Sequence, residues 1–231
     1  NIRDFCQAHN FLFSINYHTY GAQLIYPWAY NDQLTVDSNE FRAYAALMTS
    51  ENNYEFGTNM ETIGYSTNGD ADDWLYGEQS SKNKIFSMTP EASTGGFWPA
   101  SSSIIGHCQG TMWQNIAVGH LMLKYGKLSD RSSPVLSQLS SSAAYDLSRY
   151  GLEPGTFTVS LQPLSNNILS VGPAKTHNLN QFVSIQDSIS INLDPLIANA
   201  STVRYLLQLN NGFYTVSDTV ERIFGNYNLL L

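Results

Sequence analysis

The feature that most constrains the fold is a change in the spacing of apolar residues along the chain. Up to about residue 125, apolar side chains form short continuous runs or recur at helical spacing, whereas after Gly155 they alternate with polar ones. Short buried runs between helical segments are typical of mixed α/β structure, and alternation with period two is typical of strands buried on one face. The sequence therefore predicts an α/β part followed by an all-β part.

The first part is predicted to contain two short buried strands and two longer helices. The strands are expected at 11–18 and 84–89, where apolar residues run almost without interruption. The helices are expected at 38–48 and 101–123, where apolar residues recur every three or four positions. The polar segment 66–78 is rich in Gly and Asp, and it is predicted to be a surface loop.

The second part is predicted to be a β-sandwich. Alternating segments at 156–161, 184–193 and 203–209 indicate strands, and Asn210-Asn211-Gly212 between two such runs indicates a hairpin. Short strands with frequent turns favour two packed sheets.

A serine-rich stretch with few charges precedes these strands and is predicted to be a linker, with an early strand possible near Val135. The domain boundaries expected from these patterns are 1–127 for the α/β domain, 128–149 for the linker and 150–231 for the sandwich.

Charge excludes some classes of partner. The chain has 11 Lys and Arg against 19 Asp and Glu, a formal net charge of −8. Binding to nucleic acid or to an anionic membrane surface needs clustered basic residues, so neither is expected. The chain also has no apolar run of the roughly 18 residues that span a bilayer.

Composition gives a weaker indication of the compartment. Low Lys content, many Asn, Ser and Tyr residues and an acidic balance favour a secreted or periplasmic protein. The two cysteines, Cys6 and Cys108, are compatible with a disulfide, but two buried free thiols are the favoured interpretation.

Two residues stand out as candidates for chemistry. His18 follows a buried strand, and ligands of α/β sheets bind at the carboxyl ends of strands, so His18 is a candidate metal ligand or catalytic group. Glu91 follows the strand ending at Thr89, where it is either a general base or a solvated loop residue. The remaining histidines are interpreted as surface or satisfied core residues: His9, His107, His120 and His177.

Four segments in order resemble a known family. The segment Asn16-Tyr17-His18-Thr19-Tyr20-Gly21 continuing to Trp28, the loop from Gly64 to Tyr76, the strand from Phe86 to Glu91 and the segment Gly96-Phe97-Trp98-Pro99 are similar in order and spacing to zinc carboxypeptidases of the M14 family. The resemblance covers about residues 1 to 125 and implies a partial carboxypeptidase-like mixed sheet with helices.

The resemblance implies roles for the two candidate residues. His18 matches the last zinc ligand of the family, and Glu91 matches the carboxylate that activates the zinc-bound water and then shuttles its proton. The implied activity is zinc-dependent hydrolysis of C-terminal residues from peptides or proteins.

Four further residues match substrate-binding positions of the family. Tyr65 is expected to fold over the substrate, and Thr19 and Tyr20 are expected to line the site across a cis peptide bond. Asp72 matches the base of the specificity pocket, where an acid resembles the enzymes that prefer C-terminal Lys or Arg.

The sequence departs from the family in two motifs. No His is followed by Glu three residues later, and there is no Asn-Arg pair to bind a substrate carboxylate. Since the family carries both motifs upstream of the His18 segment, the chain is expected to be the C-terminal part of the catalytic domain. By itself it is expected to be inactive and to lack zinc, and its missing N-terminal portion is an expected partner.

Two alternatives stay open. One is a non-catalytic protein that binds peptide or carbohydrate on a carboxypeptidase-like fold. The other is an unrelated hydrolase or binding module in which these motifs occur by chance. The all-β part resembles domains appended to bacterial extracellular peptidases, so it is interpreted either as an attachment domain for carbohydrate, cell wall or substrate, or as a stabilising accessory domain.

Overall fold

The computed structural model describes residues 1–225. The chain divides into two compact units, Asn1–Met122 and Leu123–Leu231. The last six residues of the sandwich domain predicted at 150–231 lie outside the described residues.

The first unit combines five α-helices and a short 3-10 helix with a four-stranded sheet. The helices are α1 (Ile2–Ala8), α2 (Ser38–Met48), α3 (Asn59–Thr62), α4 (Ala71–Gly77) and α5 (Ile104–Leu121), the last preceded by a 3-10 turn at Ser101–Ser103. The strands are β1 (Phe13–Ile15), β2 (Gln23–Ile25), β3 (Glu55–Gly57) and β4 (Phe86–Glu91).

The sheet of the first unit is mixed, with strand order β1-β4-β2-β3. Strand β4 runs parallel to β1 and antiparallel to β2, and β2 runs parallel to β3. An α/β region was expected from the apolar pattern and a mixed sheet from the family resemblance, and the structure has both.

An aromatic cluster holds helices against this sheet. The ring of Phe86 on β4 lies 5.1 Å from those of Phe41 and Tyr44 on α2, and Phe41 lies 5.1 Å from Tyr76 on α4. Edge-to-face packing of this kind adds to the stabilisation from burial. The predicted helix at 38–48 is confirmed, and its helical spacing places Phe41 and Tyr44 on the buried face.

The prediction of a surface loop at 66–78 is wrong for its second half. Residues 71–77 form α4, which begins where Oδ1 of Asp70 accepts a hydrogen bond of 2.8 Å from the backbone N–H of Asp72. The helix buries Leu75 and Tyr76. The segment looked loop-like because it is polar and short, although Asp at an N-cap followed by apolar residues is a helix-start signal.

The second unit is β-rich. Its strands are β5 (Gly126–Asp130), β6 (Val135–Leu136), β7 (Ser140–Arg149), β8 (Thr156–Pro163), β9 (Ile168–Val171), β10 (Lys175–Asn178), β11 (Ser184–Leu193), β12 (Thr202–Asn210) and β13 (Thr215–Phe224). They form a five-stranded sheet with order β10-β8-β12-β13-β6 and a four-stranded sheet with order β5-β7-β11-β9.

The two sheets of this unit contribute to one hydrophobic core. Tyr145 and Ile191 come from the four-stranded sheet, and Phe157, Val203 and Tyr205 from the five-stranded one. All five side chains are fully buried.

The structure has strands where a linker was predicted at 128–149. That range holds most of β5 together with β6 and β7, and β7 pairs with β11 over nine residue pairs. The inward residues of β7 are Ala143, Tyr145 and Leu147, but Ala144 between two of them and the many serines obscured the period-two pattern.

The cysteines do not form a disulfide. Both Cys6 and Cys108 are free, as favoured from the sequence. Cys6 is buried, but Cys108 is exposed, so the prediction that both are buried is wrong for Cys108.

Candidate functional site

The ends of β1 and β4 bring His18 and Glu91 together. Glu91 is the last residue of β4, and His18 follows β1 by three positions. The two residues are partners in a parallel bridge, with the N–H of His18 donating to Pro90 O at 2.9 Å and the N–H of Ala92 donating to His18 O at 2.8 Å. The backbone therefore fixes the two side chains as neighbours at the carboxyl ends of β1 and β4.

Both side chains lie in the wall of one cavity of about 450 Å³. Tyr65 also lines it, from the turn after α3, and so do polar side chains that sequence reasoning missed. The walls are formed by Asn16, His18, Ile25, Asn59, Ile63, Tyr65, Thr67, Asn68, Gly69, Asp70, Ala71, Thr89 and Glu91. The cavity contains two carboxylates and no Lys or Arg side chain, so it is complementary to a cationic group.

Glu91 carries a buried oxygen that has no partner. Its Oε2 is inaccessible to solvent and makes no hydrogen bond within the described part of the chain. Burial raises the pKa of Glu91 above the usual carboxyl value, and the nearby His18 partly offsets that shift. A carboxylate in the wall of a cavity with a raised pKa has the properties of a general base.

The loop that carries Tyr65 is anchored through Thr67. The N–H of Thr67 donates to Ala29 O at 2.8 Å, and the buried amide of Asn59 donates to Thr67 Oγ1 at 2.8 Å. Tyr65 itself is 61% exposed, and Gly64 before it has a φ of +81°, a conformation that favours glycine. The ring therefore lies at the open side of the cavity.

Asp72 lies beneath the cavity and is not part of its wall. The residue Asp72 is 3% exposed. Its carboxylate accepts three hydrogen bonds, from Asn16 at 2.7 Å, Ser87 at 2.5 Å and Thr89 at 2.8 Å. Burial raises its pKa to about 6 despite these three donors. Since Asn16 and Thr89 line the cavity, Asp72 holds two wall residues from below.

Thr19 and Tyr20 lie next to the bridge but are not among the residues of the cavity wall. The hydroxyl of Thr19 donates to Ala92 O at 3.1 Å, and the ring of Tyr20 packs edge-on against Phe97 at 4.9 Å. The peptide bond between them is cis, as expected from the resemblance. Their contact with substrate stays a prediction.

The cavity-wall residues that were not predicted have only weak signals in the sequence. Asn16 is two positions before His18, so alternation along an extended chain puts both on one side. Asp70 was visible as an acid next to a glycine, but its place in the wall depends on where α4 begins. Nothing in the local pattern marks Asn59 or Asn68.

The described residues do not form a complete metal site. No group of three His, Cys, Asp or Glu side chains within residues 1–225 is arranged to hold a metal ion. A catalytic zinc site uses three protein ligands, and the cavity offers the imidazole of His18 beside Glu91. Residues 1–225 therefore do not fit a zinc site by themselves.

Within the same residues, no helix is long and apolar enough to cross a membrane.

Two comparisons find similarity to zinc carboxypeptidases. The family model of the zinc carboxypeptidases, peptidase family M14, matches residues 1–114. A zinc carboxypeptidase of Saccharothrix mutabilis subsp. capreolus is 30% identical over 119 residues, which are 48% of this chain and 26% of that protein. The first unit therefore contains an M14 zinc carboxypeptidase-like region, and the chain spans about a quarter of the curated relative that it matches.

Two solved structures are similar at low scores. A FixG-related protein from Vibrio parahaemolyticus is 10% identical with a TM-score of 0.33, covering 43% of this chain and 94% of that one. Domains 4 and 5 of the S-layer protein SbsC are 13% identical with a TM-score of 0.27, covering 43% of this chain and 51% of that one. Neither score supports a statement about fold.

Proposed function

We propose that this chain forms one side of the active site of a zinc metallocarboxypeptidase, which hydrolyses C-terminal residues from peptides or proteins. The observation that carries the proposal is the pairing of His18 with Glu91 in the wall of one cavity, with Oε2 of Glu91 buried and unpartnered. The family match over residues 1–114 supports the same reaction class.

Glu91 is the proposed general base. Ionised Glu91 accepts a proton from the attacking water as the water oxygen bonds to the peptide carbonyl carbon. The same carboxyl then donates that proton to the amine nitrogen as the C–N bond breaks, which returns Glu91 to its ionised form. Partial burial keeps its pKa above the usual carboxyl value, which makes ionised Glu91 a stronger base for the first transfer.

His18 is proposed to provide one ligand of the zinc that the family implies. The other ligands, and the cation that would bind the substrate carboxylate, are proposed to come from protein outside this sequence. The ligand deficit of residues 1–225 and the 26% coverage of the curated relative support this division.

Four residues are proposed to contact or shape the substrate site. Tyr65, at the open side of the cavity, would cover the bound C-terminal residue. Thr19 and Tyr20, beside the bridge, would flank it. Asp72 would influence the preference for C-terminal Lys or Arg indirectly, through Asn16 and Thr89, because all its contacts are to groups of the fold.

The missing portion of the catalytic domain is the proposed partner of the first unit. Strand β1 is at one edge of the sheet and pairs only with β4 among the described strands. Helix α5 has no Asp, Glu, Lys or Arg, yet it exposes Ile104, Ile105, Met112 and Ile116. An open edge and an uncharged apolar helix face are features that further strands and helices of one domain would cover.

The second unit is proposed to be a β-sandwich accessory domain of a secreted or periplasmic protein. Two sheets with one common core support the sandwich. The low Lys content and acidic balance are the support for export.

The test uses the longest natural chain that contains this sequence. Release of C-terminal residues from a peptide mixture is followed by mass spectrometry, and zinc content is measured in the same preparation. Glu91→Gln is expected to lower kcat by about 10²- to 10⁴-fold with zinc content unchanged, because it removes the base. The matched control is Glu55→Gln, an exposed carboxylate of the same sheet, which should leave kcat unchanged. Full activity of the Glu91 variant would refute the proposed base.

One alternative is a non-catalytic peptide- or carbohydrate-binding protein on the same fold, which is equally compatible with the lack of a three-ligand set among residues 1–225. In the longest natural chain, zinc and C-terminal release support the peptidase. Absence of both, with binding of a peptide or oligosaccharide measured by calorimetry, would support the alternative. The upstream sequence discriminates as well, since only the peptidase needs a His-x-x-Glu and an Asn-Arg motif.

A further inference from the structure

The two sheets of the second unit have unequal widths, and one edge is open. The four-stranded sheet ends at β5, which pairs with β7 and with no other strand among the described residues. The facing sheet continues through β12 to β13 and β6. The core-facing side of β13 therefore extends beyond β5, the last strand of the four-stranded sheet.

The register of β12 and β13 shows which side chains are left uncovered. Leu207 lies opposite Asp218 and Leu209 opposite Val216, and opposite residues of an antiparallel pair share one face of the sheet. Leu207 and Leu209 are buried in the core, whereas Val216 is 53% exposed and Asp218 is exposed. Two core-facing positions of β13 thus lack a covering strand.

A small cavity marks the same gap. It has a volume of about 130 Å³, a size that accommodates a benzene-sized group, and it lies between β5 and the β12–β13 pair. Its walls are formed by Tyr125, Gly126, Lys127, Leu128, Asp130, Leu207, Leu209, Val216 and Asp218.

The open edge of β5 offers backbone hydrogen-bonding groups next to this cavity. The N–H of Arg131 donates to Ala144 O, and Tyr125 O accepts from Tyr150 N–H, so the odd-numbered residues of this segment face β7. Because the pattern alternates along an antiparallel pair, Gly126, Leu128 and Asp130 direct their N–H and C=O groups to the open edge.

The charges at the two ends of the gap differ. Asp130 on β5 forms an ion pair with Arg222 on β13, which closes one end. Asp218 lies four residues before Arg222 on the same face of β13. It has no ion pair and no side-chain hydrogen bond within residues 1–225. A carboxylate in this position favours a cation on whatever occupies the gap.

We propose that the second unit binds an extended peptide segment that adds a strand to β5. The segment's backbone pairs with Gly126, Leu128 and Asp130, an apolar side chain enters the cavity, and a Lys or Arg two residues away contacts Asp218. Strand addition of this kind takes its affinity from backbone hydrogen bonds and its specificity from alternate side chains. The inference is independent of the proposed peptidase activity, because all its residues lie in the second unit.

The test measures binding of a labelled peptide to the full chain by fluorescence anisotropy. The probes are acetyl-Ser-Thr-Lys-Thr-Phe-Thr-Ser-amide and the same peptide with Lys and Phe exchanged, since the added strand can run in either direction. One control peptide has Glu in place of Lys. A second is N-methylated at Phe and at the Thr that follows it, which removes an N–H that would face β5 in either strand direction.

The expected result is binding of at least one Lys peptide, weaker binding of the Glu peptide and no measurable binding of the N-methylated one. Asp218→Asn should weaken binding of the Lys peptide about two- to fivefold, the range of a partly exposed ion pair. Glu221→Gln removes the same charge from the outer face of β13, and it should have no effect.

A second pair of variants tests the cavity. Val216→Trp fills it and should weaken peptide binding more than fivefold, whereas Thr219→Trp, on the outer face of the same strand, should not. Three outcomes would overturn the proposal: no binding of either Lys peptide, equal binding of the N-methylated peptide, or a dimer in sedimentation velocity that the peptide does not dissociate. The last would mean that a second copy occupies the edge.

Discussion

The side-chain amide of Asn16 donates a hydrogen bond of 2.7 Å to Oδ1 of Asp72, which joins the wall of the cavity to a carboxylate buried beneath it. Asp72 in turn connects α4 to β4 through Ser87 and Thr89. A change at Asp72 therefore affects both the stability of the first unit and the shape of the cavity. The effect on stability is measured by its dependence on pH, and the effect on the cavity by the preference among substrates.

Asp72 should make the first unit less stable as the pH rises from 4 to 6. Its folded-state pKa is raised to about 6 by burial, above an unfolded value near 4, so the folded state binds more protons in this window. The free energy of unfolding then falls with rising pH and levels off above pH 6. Asp72→Asn should remove a pH-dependent difference on the order of 2 kcal/mol.

Urea denaturation followed by Trp fluorescence measures this effect in the first unit, because all four Trp residues lie within residues 1–122. Glu55→Gln, at an exposed carboxylate, should retain the pH dependence of the natural chain. Identical pH profiles for Asp72→Asn and the natural chain would contradict the prediction.

Asp70 should contribute more directly than Asp72 to any preference for C-terminal Lys or Arg. Asp70 lines the cavity, whereas Asp72 is covered by Asn16, Ser87 and Thr89. In the complete enzyme, Asp70→Asn should lower kcat/KM for C-terminal Lys by about 3- to 30-fold relative to C-terminal Leu. This range corresponds to the loss of one contact between the carboxylate and the substrate ammonium group at a partly buried position. Competition between two peptides that differ only in the last residue measures this ratio, and an unchanged ratio would exclude Asp70.

Asn211 should be essential to the hairpin between β12 and β13. It is buried, its amide donates to Lys124 O at 2.7 Å, and its Oδ1 accepts from the N–H groups of Phe213 and Tyr214, both at 3.0 Å. Asn211→Ala removes these three hydrogen bonds and should cost about 2–3 kcal/mol of local stability. Hydrogen exchange of peptides from β12 and β13 measures the loss. The neighbouring exposed Asn210→Ala should cost less than about 1 kcal/mol, and equal effects would refute the role of Asn211.

Two glycines of the first unit should respond oppositely to alanine. At Gly110 in α5 an added Cβ meets nothing within 4 Å, so Gly110→Ala should stabilise the unit by about 0.5–1 kcal/mol through helix propensity. At Gly57 it would lie 2.7 Å from Cβ of Glu61, so Gly57→Ala should destabilise by about 1–3 kcal/mol through overpacking. Trp fluorescence reports both changes, and a stabilising Gly57→Ala would contradict the packing argument.

Local pattern was sufficient for the elements whose apolar spacing is regular. The helix predicted at 38–48 and the strand predicted at 184–193 are present with those bounds, as α2 and β11. Their buried residues repeat with the period of the element, so sequence neighbours alone carry the signal. The early strand expected near Val135 is present as β6. Strand β7 was missed because Ser and Ala make up most of it, which leaves little hydrophobic contrast between its two faces.

The sequence by itself determined the residue types of the site and the elements that carry most of them. Only the tertiary structure decided which of these residues meet. His18 and Glu91 are 73 positions apart, and their bridge depends on the register of β1 with β4. The burial of Asp72 likewise depends on Asn16, Ser87 and Thr89, which come from other elements. Hydrophobic periodicity is a property of neighbouring residues, whereas desolvation and hydrogen bonding of a polar side chain are set by residues distant in the chain.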